Sequence, residues 1–80
     1  MRHSQVQLGK NGITENFIGT LRDHFKSRQN VKVSVLKSAG RDREEIRKYS
    51  EHILEKLGRN YTARVLGFTI FLKKWKKNMR

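Results

Sequence analysis

The chain has 80 residues, enough for one domain, and its modest core leaves little room for a deep substrate cleft. It carries 19 Lys and Arg against 7 Asp and Glu, and the net charge of +12 exceeds the magnitude of roughly 2–8 that solubility alone requires. This charge favours an anionic partner, nucleic acid before an anionic membrane. The chain has no Cys, which excludes disulfides and thiolate zinc sites, and no apolar signal-peptide or membrane-spanning segment, so we expect a cytoplasmic protein.

The first predicted strand is the short apolar run 6–8, which follows five polar residues that we expect to be loose. Gly9-Lys10-Asn11-Gly12 comes next, and the apolar period then becomes helical over 14–28. Thr14 is a candidate N-cap, and Glu15 suits the positive end of the helix dipole. Gln29-Asn30 is expected to close this helix. The apolar stripe consists of Phe17, Ile18, Leu21 and Phe25.

A strand with clean alternation is predicted over 31–36, followed by a flexible basic loop over 37–41. A second helix begins at Asp42, a candidate cap with Glu45 three residues on, and ends at Gly58. The runs 61–66 and 68–72 flank Gly67 and predict a hairpin. The element order is therefore strand, helix, strand, helix, strand, strand, which indicates a single α/β domain.

The sharpest motif is Gly9-Lys10-Asn11-Gly12, between a predicted strand and a predicted helix. Glycines allow close backbone approach to a phosphate, and the helix start offers free N–H groups and a positive dipole end. A G-x-x-G loop clamps the nucleotide backbone in KH domains. A plain turn is the alternative, because Asn-Gly is also a favoured hairpin turn. The basic context and the strand-to-helix placement favour phosphate binding.

Charge is distributed unevenly along the chain. Five of the seven acidic residues lie within 42–57, whereas 15 basic residues and only two acidic ones lie outside it. This asymmetry is typical of a domain with one side facing a polyanion. The alternative is an ordinary solvated cationic face. The predicted basic band comprises Arg22, Lys26, Arg28, Lys32, Lys37 and Arg41.

Strand residues that alternate with the apolar ones are expected to share one face of the sheet. These residues are Lys32, Ser34, Thr62, Arg64, Thr69, Phe71 and Lys73. Phe71 among these cations could stack on a base, but packing of Phe71, Leu36 and Leu66 is the favoured interpretation, since single aromatics are usually core. The tail motif 73–77 around Trp75 is too short for a convincing membrane helix. It is either a nucleic-acid anchor or a solubilising tail.

Catalysis has no support in the residue pattern. His3, His24 and His52 are scattered without metal-ligand spacing, and no nucleophile or carboxylate pair accompanies them. We expect no enzymatic activity, no cofactor and no metal.

The ordered segments 6–15 (VQLGKNGITE), 31–33 (VKV), Gly58 and 63–72 (ARVLGFTIFL) resemble the CRM domain, named for chloroplast RNA splicing and ribosome maturation. Its stand-alone prokaryotic members are the YhbY-like proteins. The resemblance covers about residues 6–74. It implies an α/β fold with a four-stranded mixed sheet, similar to the C-terminal domain of translation initiation factor three. It also implies RNA binding, with prokaryotic members linked to the pre-large ribosomal subunit and plant members to group II intron splicing.

The resemblance implies that 9–12 is the family's G-x-x-G loop and that Gly67 is its hairpin glycine. Two features depart from the family. Family members usually have a helix before the first strand, and only five residues precede Val6; Lys73 stands where an aromatic residue is common. The first departure predicts an uncovered area of sheet, with Leu36, Leu66 and Phe71 as candidates, and leaves both a monomer and a weak dimer open.

We therefore expect one RNA-binding domain over 1–80, with its core at 6–74 and a basic tail at 75–80. Its partner is expected to be ribosomal or other structured RNA, and not a membrane. A double-stranded DNA or chromatin-binding protein is one alternative, and a protein-interaction module with an exposed sheet face is another. The predicted RNA-binding residues are Gly9, Lys10, Asn11, Gly12, Arg22, Lys26, Arg28, Lys32, Lys37, Arg41, Arg64, Lys73 and Lys74.

Overall fold

The computed structural model of the protein describes residues 4–40 and 42–77. Two helices and four strands alternate in the order β-α-β-α-β-β, so the predicted α/β fold class is confirmed. The elements are β1 (Ser4–Leu8), α1 (Glu15–Phe25), β2 (Asn30–Val35), a short 3₁₀ helix (Lys37–Ala39), α2 (Arg43–Leu57), β3 (Tyr61–Leu66) and β4 (Thr69–Lys74).

The four strands form one mixed sheet in the order β1-β2-β4-β3. β1 is parallel to β2, and β4 is antiparallel to both of its neighbours, so β1, β2 and β3 all point the same way. Both β-α-β crossovers therefore move across the sheet in the same direction. Because such crossovers are almost always right-handed, they place both helices on one face of the sheet. We call that face the covered face and the opposite one the open face.

The hydrophobic core lies between the covered face and the two helices. Val33 and Ile70 are partners in the register at the centre of the sheet, and both are fully buried. Phe25 meets Tyr61 edge to face, with ring centroids 5.0 Å apart. The helices contribute Ile18, Leu21 and Phe25 from α1, and Ile46, Ile53 and Leu57 from α2. Apolar and polar residues therefore alternate along the strands, because only the covered face of the sheet is buried.

Helix α1 begins where the sequence predicts and ends earlier. Thr14 is its N-cap, and the Thr14 hydroxyl accepts the N–H of Phe17 at 3.1 Å. The helix ends at Phe25 instead of 28, because the N–H groups of Lys26 and Ser27 bond to carbonyls three residues back and tighten the last turn. The predicted closing residue Asn30 instead begins β2.

Helix α2 has its predicted ends but not its predicted capping box. Asp42 occupies the N-cap, yet its side chain makes no capping hydrogen bond. The first turn instead begins with the backbone bond from the Ile46 N–H to the Asp42 carbonyl, at 3.0 Å. Gly58 ends the helix with φ 121°, a conformation that favours glycine.

Four predicted strand boundaries are also corrected. β2 ends at Val35 instead of residue 36, which precedes the 3₁₀ helix. β1 includes residues 4 and 5, which pair with Val31 and Lys32, so these positions are not loose, while 1–3 lie outside the described residues. β4 starts at Thr69 and reaches Lys74, because its pairing with β3 continues to Tyr61. Phe68 consequently lies in the two-residue hairpin turn with Gly67, whose φ of 59° suits a first turn position occupied by glycine. Tail residues 78–80 are outside the described part.

Candidate nucleic-acid interface

The loops that follow β1, β2 and β3 meet at one end of the sheet, because these three strands are parallel. We call this the carboxyl end; it comprises residues 9–14, 36–40 and 67–68. The Leu36 N–H donates to the Leu8 carbonyl at 2.9 Å, and the Val35 N–H donates to the Phe68 carbonyl at 2.8 Å. Both helices also begin at this end, so two positive dipole ends point there.

The loop 9–12 is a closed turn in which the Gly12 N–H donates to the Gly9 carbonyl at 3.0 Å. Lys10 and Asn11 are exposed at its tip. Gly12 has φ 67°, which a side chain would strain, whereas a Cβ on Gly9 would meet Leu36 and Ser38 only at an ordinary 3.8 Å. Gly12 is therefore required by backbone conformation, and Gly9 is not required by packing.

The connection after β2 contains a short helix that the sequence does not predict. Residues 37–39 form the 3₁₀ helix, and the Gly40 N–H donates to the Lys37 carbonyl at 3.1 Å. The Tyr49 hydroxyl on α2 donates to the Ala39 carbonyl. Lys37 is exposed here, next to the loop 9–12, since Ser38 lies close to Gly9. Arg41, the last residue of the predicted loop and band, lies outside the described residues.

The predicted basic band is not one surface in the structure. Lys37 lies at the carboxyl end, Lys32 lies on the open face, and Arg22 lies between the helices, where its guanidinium donates to the Lys56 carbonyl at 2.7 Å. Lys26, which pairs with Asp23 at 3.3 Å, follows the last turn of α1. The band breaks up because neighbours in sequence belong to different layers and opposite ends of the sheet.

A second basic cluster forms at the opposite end of the sheet, which we call the amino end. Lys26 and Arg28 line a shallow groove there together with Lys74 and Lys76. The groove is walled by Phe25 and Trp75, among others. The structure thus brings three predicted site residues, two from the connection after α1 and one from β4, to the end of the sheet opposite the loop 9–12.

The open face carries the remaining predicted residues. Lys32, Phe71 and Arg64 lie side by side on β2, β4 and β3, and Lys73 pairs with Thr62 one step toward the amino end. Phe71 is 39% exposed and Leu66 51%. The prediction that Phe71 and Leu66 are packed is therefore wrong. The expected uncovered area of the sheet is confirmed at these two residues. The reason is that both helices lie on the other face.

Acidic residues are confined to the helical layer. All seven belong to α1, to α2 or to its cap Asp42, together with five of the 16 basic residues in the described ranges 4–40 and 42–77. The other described residues include 11 basic residues and no acid. Glu44, Glu51 and Glu55 are exposed on the side of α2 opposite Ile46 and Ile53. The loops and the sheet are therefore uniformly cationic, and the outer surface of α2 is not.

Sequence reasoning missed an exposed aromatic residue at the carboxyl end. Phe68, 50% exposed in the hairpin turn, lines a groove with Arg43 and Arg47 of α2 and with Val65. The turn glycine Gly67 was the available signal, because a two-residue turn starting there puts the next side chain at the tip and not in a strand.

Other kinds of site have little basis in residues 4–40 and 42–77. In these ranges no group of three His, Asp or Glu side chains is placed to hold a metal ion. Nor does any helix of the described chain have the length and apolar character needed to cross a membrane.

Comparison with known proteins agrees with the architecture. The family model of the CRS1/YhbY (CRM) domain matches residues 2–72, a span that contains both helices, the first three strands, most of β4 and the loop 9–12. Neither the curated proteins nor the solved structures gave a significant match. The RNA-binding character of this family fits a domain whose loops and sheet carry no acidic residue. The chain belongs to the CRS1/YhbY (CRM) domain family, a family of RNA-binding domains.

Proposed function

We propose that the protein binds structured RNA in the cytoplasm, with RNA of the maturing large ribosomal subunit as the expected partner, and that the loop 9–12 grips the phosphate backbone. The family supports RNA as the class of partner. The protein acts in this proposal by binding and not by catalysis. Its contribution to ribosome maturation would be to hold one RNA conformation.

The observation that carries the proposal is the position of the turn 9–12 directly before the N-terminus of α1. The N–H groups of Glu15 and Asn16 have no acceptor within the helix, as in any first helical turn. Such a terminus favours anions. Lys10 at the tip adds a charge that can form a charge-assisted hydrogen bond with a phosphate oxygen.

The neighbouring 3₁₀ helix widens this cationic site. Lys37 is exposed on it, and the bond from Tyr49 to Ala39 holds its backbone against α2. Because a backbone hydrogen bond closes each connection, little conformational entropy should be lost when a phosphate binds between them. Phe68 and its neighbours Arg43 and Arg47 extend the same end of the sheet.

The test compares two variants with the same change in charge. Lys10→Asp places an acid at the loop tip, and Lys48→Asp places one on the outer surface of α2 among acidic residues. We expect Lys10→Asp to weaken binding of structured RNA by about 1–3 kcal/mol, since a charged contact is replaced by repulsion. Lys48→Asp should have a much smaller effect. Equal losses would mean that only net charge matters and would contradict the grip.

An uncharged variant removes the contacts without adding repulsion. Lys10→Gly combined with Asn11→Gly changes only two exposed side chains of the turn, so the thermal stability should change little. RNA affinity should fall. If this variant is folded and binds structured RNA as tightly as the parent, the loop is not the grip.

The identity of the RNA needs a separate measurement. Crosslinking in cells followed by sequencing of the bound RNA should enrich large-subunit ribosomal precursors. Competition between structured RNA and duplex DNA at one salt concentration tests the DNA alternative, and equal affinity for duplex DNA would contradict RNA as the preferred partner.

A further inference from the structure

We infer that the open face is a second RNA-binding surface, which takes a single-stranded segment and stacks a base on Phe71. The inference rests on the proposed RNA binding and adds a site separate from the loop 9–12. Phe71 is on the central strand β4, between β2 and β3. Its 39% exposure leaves part of the ring accessible, and neither helix packs on this face.

The residues beside Phe71 suit a polyanion. Lys32 and Arg64 are its partners on the two neighbouring strands, and the Lys32 ammonium lies 5.9 Å from the ring centroid. Lys73 lies one step along the same face, because residues two apart on a strand share a face. A base on the ring would have its flanking phosphates within reach of these three cations, the combination that single-strand-binding proteins use.

Charge also argues against a second copy of this chain as the occupant. Every acidic residue of the protein belongs to the helices or to Asp42. Two open faces brought together would set Lys32, Arg64 and Lys73 against the same cations of the other copy. RNA neutralises these charges, whereas dimerisation through this face concentrates them.

Trp75 extends the open face at the amino end. Its backbone N–H donates to the Asn60 carbonyl at 2.7 Å, so it continues the pairing of β3 with β4. Its indole N–H donates to the Thr62 hydroxyl at 2.8 Å, and the Lys73 ammonium lies 4.1 Å from the ring centroid. The indole is thus held beside Lys73, and a bound strand would change its surroundings.

The experiment uses hexauridylate, a single-stranded RNA of six nucleotides, as the probe. Trp75 is the only tryptophan of the chain, so its emission reports on the amino end of this face and on the adjoining groove, and the Phe71 variants distinguish the two. We expect hexauridylate to quench the emission saturably. An abasic hexamer of the same charge should bind much more weakly, because it has no base to stack.

Two substitutions of Phe71 separate ring stacking from apolar contact. Phe71→Leu should weaken hexauridylate binding by roughly 5- to 150-fold, the range expected for loss of one base–aromatic stack. Phe71→Tyr keeps the ring and should bind like the parent. The inference is overturned if Phe71→Leu binds like the parent or if the abasic hexamer binds equally well. It is also overturned if the free protein dimerises through this face in sedimentation, with Trp75 emission that depends on concentration.

The proposal about the loop 9–12 and the inference about the open face can be contradicted independently. Lys10→Asp should lose affinity for structured RNA and keep its affinity for hexauridylate. Binding of structured RNA through the loop, without any hexauridylate binding, would contradict only the inference about the face. Hexauridylate binding that depends on Phe71, with structured RNA indifferent to Lys10, would contradict only the loop.

Discussion

Arg22 on α1 donates from its guanidinium to the carbonyl of Lys56 in the last turn of α2, at 2.7 Å. The last four carbonyls of a helix have no partner within the helix, so this bond satisfies one of them and joins the two helices. Arg22, a predicted RNA-binding residue, therefore has a structural partner. We expect Arg22→Ala to lower the free energy of unfolding by about 1 kcal/mol. For a domain of this size the melting temperature should fall by roughly 4–8 °C.

Lys26→Ala is the matched control for Arg22→Ala. Lys26 follows the same helix, and its pair with Asp23 at 3.3 Å is exposed, so its removal should cost at most about 1 kcal/mol and on average less. If denaturant unfolding shows equal losses of unfolding free energy for the two variants, the bond from Arg22 to the Lys56 carbonyl contributes no more to stability than the exposed Lys26–Asp23 pair.

The two glycines of the loop 9–12 should respond differently to alanine. Gly12→Ala forces a side chain into φ 67°, and we expect it to destabilise the fold by about 1–2 kcal/mol. Gly9→Ala meets only ordinary contacts, so the fold should tolerate it. If RNA backbone comes close to Gly9, its added methyl group should nevertheless reduce RNA affinity. Thermal melting together with RNA binding checks both variants, and a Gly9→Ala protein that binds like the parent would argue against close approach.

The salt dependence of RNA affinity counts the phosphates that are neutralised. With about 4–6 contacts, the log–log slope should lie near −3 to −4, from roughly −0.7 per phosphate on a single strand. Titrations at several salt concentrations measure this slope. A value near zero would rule out phosphate contacts as the main source of affinity.

The acidic surface of α2 should face away from the RNA. Glu51→Lys with Glu55→Lys adds positive charge there and removes the partner of Arg47, which lies 3.8 Å from Glu51. This exposed pair contributes little to stability, so the fold should remain intact. Nuclease protection should show the same RNA footprint as the parent. Loss of a specific contact in that footprint would mean that this side of α2 touches RNA.

Local patterns in the sequence were sufficient for the element order and for several helix ends. Thr14 and Gly58 act within one or two turns of their own positions, and alternation over 31–35 reflects contacts that each strand repeats along its length. The clustering of acidic residues within 42–57 likewise predicted a helix whose outer surface is not cationic. These properties depend on interactions between residues that are close together in the chain, so one sequence is enough to predict them.

Only the tertiary structure decided which surfaces the functional residues share. Lys32 and Lys37 are five positions apart, yet one lies on the open face and the other at the carboxyl end. Alternation shows that a strand has two faces, but not which of them the helices cover. That choice depends on the strand order β1-β2-β4-β3 and the direction of both crossovers, which arise from long-range pairing. Phe71 looks like a core residue in the sequence and is exposed for this reason.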